Sequence, residues 1–184
     1  MPDWEAREFK MDRQNIILIG FMGAGKTSVG EALAGRFQKM LIDTDRMIET
    51  KAGMTISKIF ETQGEAVFRR LETEVLEQLI VEAEGEIISV GGGLPLREEN
   101  RKLLGKLGCV IYLSVRPETV MRRLKGDTTR PLLQGEDVAS KVNHLLQTRG
   151  PIYEMAADRI IPVDEWSVEQ IADQIADWME PEAR

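Results

Sequence analysis

The residues best suited to chemistry begin at Gly20. The run GFMGAGKT, residues 20–27, satisfies the spacing G-x-x-x-x-G-K-[ST] in full. Gly20, Gly23 and Gly25 let the chain curl until successive N–H groups converge, where a Cβ would block the approach or forbid the dihedrals. Such a loop cradles phosphate. Lys26 supplies a point charge for β- and γ-phosphates, Thr27 offers a hydroxyl to Mg2+, and the following helix aims its positive end at the same place. The expected nucleotide contacts are therefore Gly23, Ala24, Gly25, Lys26, Thr27 and Ser28, for ATP or GTP. The motif by itself does not choose between a kinase, a hydrolase and a switch.

A second group of polar residues lies downstream. The run LIDTD ends in Asp43 and Asp45; if the strand continued, two residues of spacing would point both the same way at the C-terminal end of the strand, where open α/β sheets bind ligands. One carboxylate could hold a metal through water while the other accepts a hydroxyl proton. Alternatively, one of them caps the next helix. In AVFRRLE, Arg69 and Glu72 stand three apart on one helix face, close enough for the acid to orient the guanidinium or simply to form a surface ion pair, while Arg70 points to solvent. Arg130 precedes Pro131, and Arg149 precedes Gly150 and Pro151. Flanking Pro and Gly would fix these planar forks better than a free helix face would, and such forks suit carboxylate or phosphate. The run IISVGGGLP places Gly91, Gly92 and Gly93 after a strand, where a plain turn would need one glycine and not three.

These groups must be positioned by a scaffold. Strand-like runs occur at 16–19, 40–43, 86–90, 110–115 and 159–163. Helical patterns separate them: Val29, Leu33 and Phe37 form one stripe, and residues 64–84 carry Val67, Leu71, Val75 and Leu79, widened by Phe68, Leu76 and Ile80. Pro117 opens a further helix, and Ser167 with Gln170 predicts a capping box on the last. Apolar strands without clean alternation, each followed by a helix, indicate an α/β fold with a parallel sheet covered on both faces. The polar stretch 126–137 is the best candidate for a mobile loop.

The chain of 184 residues suits one domain, and its net charge of −7 argues against a nucleic-acid or anionic-membrane partner. No stretch approaches the roughly 20 apolar residues of a membrane span, and the first residues lack the apolar centre of a signal peptide. Residues 1–13 read as an N-terminal extension, with Met11 as an alternative start. Cys109, the only cysteine, belongs to a core-packing position, and His144, the only histidine, to a structural or solvated one.

Taken together, GFMGAGKT, LIDTD, FRRLE, SVGGG, TRPLL and RGPIY resemble, in order and approximate spacing, the motifs of the shikimate kinases over about residues 14–178. The resemblance implies a P-loop fold of the nucleoside monophosphate kinase type, with a five-stranded parallel sheet in a single domain over 14–184 and a lid near 126–137. It implies transfer of the γ-phosphoryl of ATP to the 3-hydroxyl of shikimate, on the route to aromatic amino acids, by a cytoplasmic monomer using Mg2+. Carried onto this sequence, it makes Asp45 the residue on the substrate hydroxyls and Asp43 a water-mediated Mg2+ ligand beside Thr27. Arg69 and Arg149 would grip the acceptor carboxylate, with Glu72 steadying Arg69, and Gly91, Gly92 and Gly93 would let backbone N–H reach it. Arg130 would be the lid arginine meeting the transferring phosphate, acting catalytically with Lys26 and Asp45, and Arg123 would lie against the adenine. Trp166 falls where relatives approach the adenine, in a loose motif. A related kinase of another small acid, such as gluconate, and a non-catalytic ATP-dependent switch are the rival readings; the paired aspartates with the triple glycine favour shikimate.

Overall fold

Five parallel strands form one sheet in the order β2-β3-β1-β4-β5: β1 (Asn15–Ile19), β2 (Leu41–Asp43), β3 (Ile87–Ser89), β4 (Gly108–Ser114) and β5 (Arg159–Pro162). This computed structural model describes residues 14–125 and 137–180. The expected extension over 1–13, and the expected lid with Arg130, lie outside the described residues apart from Asp137. That residue caps a helix, its carboxylate accepting from Ser140 N–H.

The sequence explains the order of layers. β1 is central and fully buried, as NIILI with one polar end residue requires, and β4 buries five of its seven residues. β5 is an edge strand with one buried position, Ile161, so its apolar run reads the same as a central strand while Ile160 faces water. Every predicted strand is present, with ends shifted by two residues at most. The largest shift is in β4, which begins at Gly108 because its register pairs that residue with Asn15. Asn15 is buried there; its amide donates to Ala83 O and Leu107 O, and its carbonyl accepts from Glu86 N–H. One side chain thus satisfies three backbone groups at the foot of the sheet.

Helices occupy both faces. α1 (Lys26–Phe37) packs on α8 (Val168–Met179), while α4 (Glu65–Glu82), α5 (Glu98–Leu107) and α7 (Val138–Ala156) form a continuous layer. Shorter helices α2 (Thr44–Ala52), α3 (Ile56–Thr62) and α6 (Pro117–Arg123) fill the crossovers. The predicted capping box at Ser167 and Gln170 is formed, and Cys109 is buried in the core, its thiol pushed up to about 12 by burial and the nearby Asp158 charge. His144 is exposed on α7.

Two local expectations are corrected. β2 does not continue through Asp45: it stops at Asp43, which caps α2 by accepting from Asp45 N–H at 2.9 Å and Arg46 N–H at 3.2 Å. The aspartates therefore sit on a cap and a first helical turn, since the side chain of Asp43 competes successfully for the backbone. Arg149 does not lie in a Pro- and Gly-held loop either. It is within α7, which runs unbroken through Gly150 and Pro151. A proline there removes one helical hydrogen bond, and the fully buried Val142 and Tyr153 on either side keep the helix in register.

Candidate active site

Adjacent strands β2, β3 and β1 end side by side, and their C-terminal extensions form one wall of a cleft of about 530 Å³. Lys26, Thr27, Asp43, Asp45, Arg69, Gly91, Gly92, Gly93 and Arg149 all line it. Segments separated by more than a hundred positions in the chain converge on this one space. Ile56, Phe60 and Phe68 make its apolar side.

The phosphate loop connects β1 to α1. Gly23 (φ 78°) and Gly25 (φ 93°) hold left-handed conformations that side-chain-bearing residues rarely adopt. Gly25 is the N-cap of α1 and supplies no side-chain cap, so the first turn presents backbone N–H groups toward the cleft. Within the loop, Ala24 N–H donates to Phe21 O at 3.1 Å and the methyl group is buried. The Lys26 ammonium arches back over the loop, donating to Gly20 O at 2.8 Å and Phe21 O at 3.2 Å. Thr27 and Ser28 are exposed at the helix start, and only Thr27 lines the cleft.

Arg123 lies behind the loop, at the end of α6. Its guanidinium donates to Gly23 O at 2.9 Å, to Ala24 O at 3.2 Å and to Val163 O at 3.0 Å, joining the phosphate loop to the end of β5. It does not border the cleft that holds the acidic residues.

On the opposite wall, Arg69 donates to Glu72 Oε2 at 2.8 Å and to Glu65 Oε1 at 3.1 and 3.2 Å. Glu72 is the informative partner because its side chain is only 1% exposed. The predicted stripe of α4 holds, with Phe68, Val75, Leu76 and Leu79 buried and Val67, Leu71 and Ile80 packed against the core, and the same face also buries Glu72. A carboxylate thus sits where an apolar stripe would be drawn, and the arginine beside it is what makes this tolerable. Burial pushes the Glu72 carboxyl up to about 7, with the nearby Asp45 charge acting in the same direction and Arg69 against it.

The glycines after β3 explain themselves by space. None of the three has a positive φ. A methyl group on Gly91 would stand 2.6 Å from Asp45 Oδ1, and one on Gly93 would collide with the Arg69 guanidinium. The room left by two missing side chains is filled by the carboxylate and the cation of the site itself. Gly91 N–H is bound to Thr44 Oγ1 at 3.1 Å, and Gly92 O accepts from the Tyr153 hydroxyl at 2.6 Å. The sequence of the shikimate kinase family, taken as a whole, matches residues 22–180.

The chain belongs to the shikimate kinase family. A shikimate kinase of Dehalococcoides mccartyi is 44% identical over 166 residues, which span 90% of this chain and 93% of that protein. One of Coxiella burnetii is 42% identical over 168 residues, with coverage of 90% and 93%. Among solved structures, the shikimate kinase from Acinetobacter baumannii in complex with shikimate superposes with a TM-score of 0.86 at 36% identity, over 95% of this chain and 97% of that one. The five-stranded P-loop architecture is that of the family.

Several residues that shape this kinase cleft gave little signal in the sequence. Thr44 is buried and holds Gly91, yet it reads as one more helix-start threonine. Thr73 and Asn100 form a buried pair at 2.8 Å, and Asn100 also donates to Leu94 O at 3.0 Å, fastening the turn after Gly93 to α4 and α5. Only the polar identity of residues on otherwise apolar helix faces could have marked them.

Glu72 carries a pH consequence. Its folded pKa, about 7, lies above the ordinary 4.5, so the native state binds this proton more tightly than the unfolded chain does. Its stabilising contribution is complete below pH 4.5 and is lost as pH rises through about 7. Thermal melts across this window are expected to show a downward slope in the wild type that is absent in Glu72→Gln. Identical slopes in the two proteins would assign the titration elsewhere.

Proposed function

We propose that this family member transfers the γ-phosphoryl group of ATP to the 3-hydroxyl of shikimate, with the cleft between the phosphate loop and α4 as the acceptor site. The observation that carries this reading is the convergence of Asp45, Arg69 and Arg149 on one cleft beside Lys26. A ring acid bearing hydroxyls needs those groups: cations for its carboxylate, an acceptor for a hydroxyl proton, and an apolar side such as Phe60 and Phe68 provide for the ring.

The loop backbone and Lys26 hold the phosphates of ATP, with the α1 dipole behind them. Thr27 and Asp43 fit a Mg2+ site. Both line the cleft with oxygen-bearing side chains, and only Oδ1 of Asp43 is spent on the helix cap. When bound, the ion would neutralise charge on the β- and γ-phosphates. Arg69 and Arg149 grip the acceptor carboxylate and so fix the ring, which turns the hydroxyl toward the phosphate. Asp45 orients that hydroxyl and takes its proton as the oxygen attacks the γ-phosphorus; the bond to the β-phosphate oxygen breaks, and ADP leaves. Arg130 carries the family role of the lid arginine, and Arg123, bound to the rear of the loop, that of the adenine-side cation. The enzyme acts as a cytoplasmic monomer.

The test is ADP release with ATP and Mg2+ in the presence of shikimate, quinate, gluconate or no acceptor. Release that requires shikimate is expected. Equal release with no acceptor, or a preference for gluconate, would overturn the reading.

A further inference from the structure

α7 contributes two residues to one place. Arg149 and Tyr153 stand four apart, so they share a helix face. Arg149 lines the cleft, its guanidinium 5.9 Å above the Phe21 ring. Tyr153 lies directly behind it with no exposed surface, its ring 5.2 Å from that of Tyr112 on β4. Burial pushes the phenol up to about 12, against the pull of the neighbouring Arg149 charge, so the hydroxyl remains a donor throughout the neutral range.

That donor has a specific target. The hydroxyl donates to Gly92 O, the carbonyl of the middle glycine, at 2.6 Å. Gly92 itself is wedged between two structures: a methyl group there would stand 3.4 Å from Gly20 O of the phosphate loop and 3.7 Å from the Tyr153 hydroxyl. On either side, Gly91 and Gly93 abut Asp45 and Arg69. The height of Gly92 therefore sets how the turn meets both acceptor-side groups.

We propose that Tyr153 is a positioning residue for the acceptor: its hydroxyl fixes the glycine turn at Gly92, one helical turn along α7 from Arg149, so that one helix registers both halves of the acceptor site. This rests on the acceptor assignment made above. Glycines give the turn room for Asp45 and Arg69, but they also give it freedom to rotate, and a buried hydroxyl on the central carbonyl removes that freedom. A carbonyl left without its donor in this place would be restored only by movement of the turn or entry of water.

The test is Tyr153→Phe, which keeps the ring and removes one oxygen. Tyr112→Phe is the control, because it removes a buried hydroxyl from the adjoining ring without touching the turn. Loss of a buried bond of this kind should raise KM for shikimate about tenfold in Tyr153→Phe, with kcat changed less and ATP affinity within about twofold of wild type. In an Arg149→Ala background the same substitution should cost less, since the two residues act together. Amide hydrogen exchange at residues 91–94 should quicken in Tyr153→Phe and not in Tyr112→Phe. If both variants merely melt earlier, with KM for shikimate and exchange at the turn unaltered, Tyr153 is a packing residue and the proposal is overturned. Should the wild type itself fail to use shikimate, the acceptor assignment falls, and hydrogen exchange at the turn still decides whether Tyr153 holds it.

Discussion

Replacement of Asp45 by asparagine is expected to lower kcat by about 10²–10⁴-fold, the usual contribution of a positioned general base, while leaving ATP affinity nearly unchanged. Asparagine keeps the shape and one hydrogen-bond acceptor but cannot take a proton. The expectation also covers stability. Asp45 and Glu72 are neighbouring carboxylates in a partly desolvated cleft, and the Asp45 charge helps to raise the Glu72 carboxyl. Removing one negative charge relieves that repulsion, so Asp45→Asn should melt no earlier than the wild type, and Glu72 should titrate at a lower pH. Steady-state kinetics with a thermal melt and a pH series check all three parts. A kcat within tenfold of wild type would leave Asp45 as an orienting group only, and a marked loss of melting temperature would point to damage to the α2 cap next to it.

Truncation of Arg69 should have the second largest effect. With the guanidinium gone, the acceptor carboxylate loses a direct partner, and acceptor binding should weaken by roughly 2–5 kcal/mol, the scale for breaking a buried charge pair. The same substitution leaves Glu72, 1% exposed, without the cation that compensates it. Arg69→Ala should therefore be destabilised as well, by about 3–5 kcal/mol if Glu72 stays charged and less if it takes up a proton. The two effects are separable. Adding Glu72→Gln to Arg69→Ala removes the buried charge, so stability should largely return while acceptor affinity stays low. Calorimetric titration with shikimate and denaturant unfolding of the single and double variants provide the measurement. If acceptor affinity recovers along with stability, Arg69 supports the fold and does not contact the acceptor.

The phosphate loop was fully legible because its chemistry is local. Eight consecutive residues hold the glycines, the lysine and the threonine, and the same residues form the turn and the helix start. Strand count and class were legible for a similar reason: apolar runs alternating with helical stripes leave a parallel sheet as the way to bury both faces. Less could be read where a residue serves two purposes. The spacing of Asp43 and Asp45 suits a continuing strand as well as a helix cap, and the structure takes the cap: the Asp43 side chain satisfies two backbone N–H groups and ends the strand. Arg149 was placed among Pro and Gly as in a loop, whereas packing around Val142 and Tyr153 carries the helix through them.

The sequence by itself determined that this chain folds as a P-loop α/β domain of the shikimate kinase family, since nucleotide-loop chemistry and hydrophobic periodicity are properties of short segments. Only the tertiary structure decided that the Asp45 carboxylate fills the space left by Gly91, that Glu72 is a buried carboxylate and not a surface ion-pair partner, and that Tyr153 reaches the carbonyl of Gly92. The physical reason is distance along the chain. Room for a side chain, desolvation of a charge and the partner of a buried hydroxyl are set by residues tens of positions away, and these meet only when three strand ends and the helices α1, α2, α3, α4 and α7 close around one cleft.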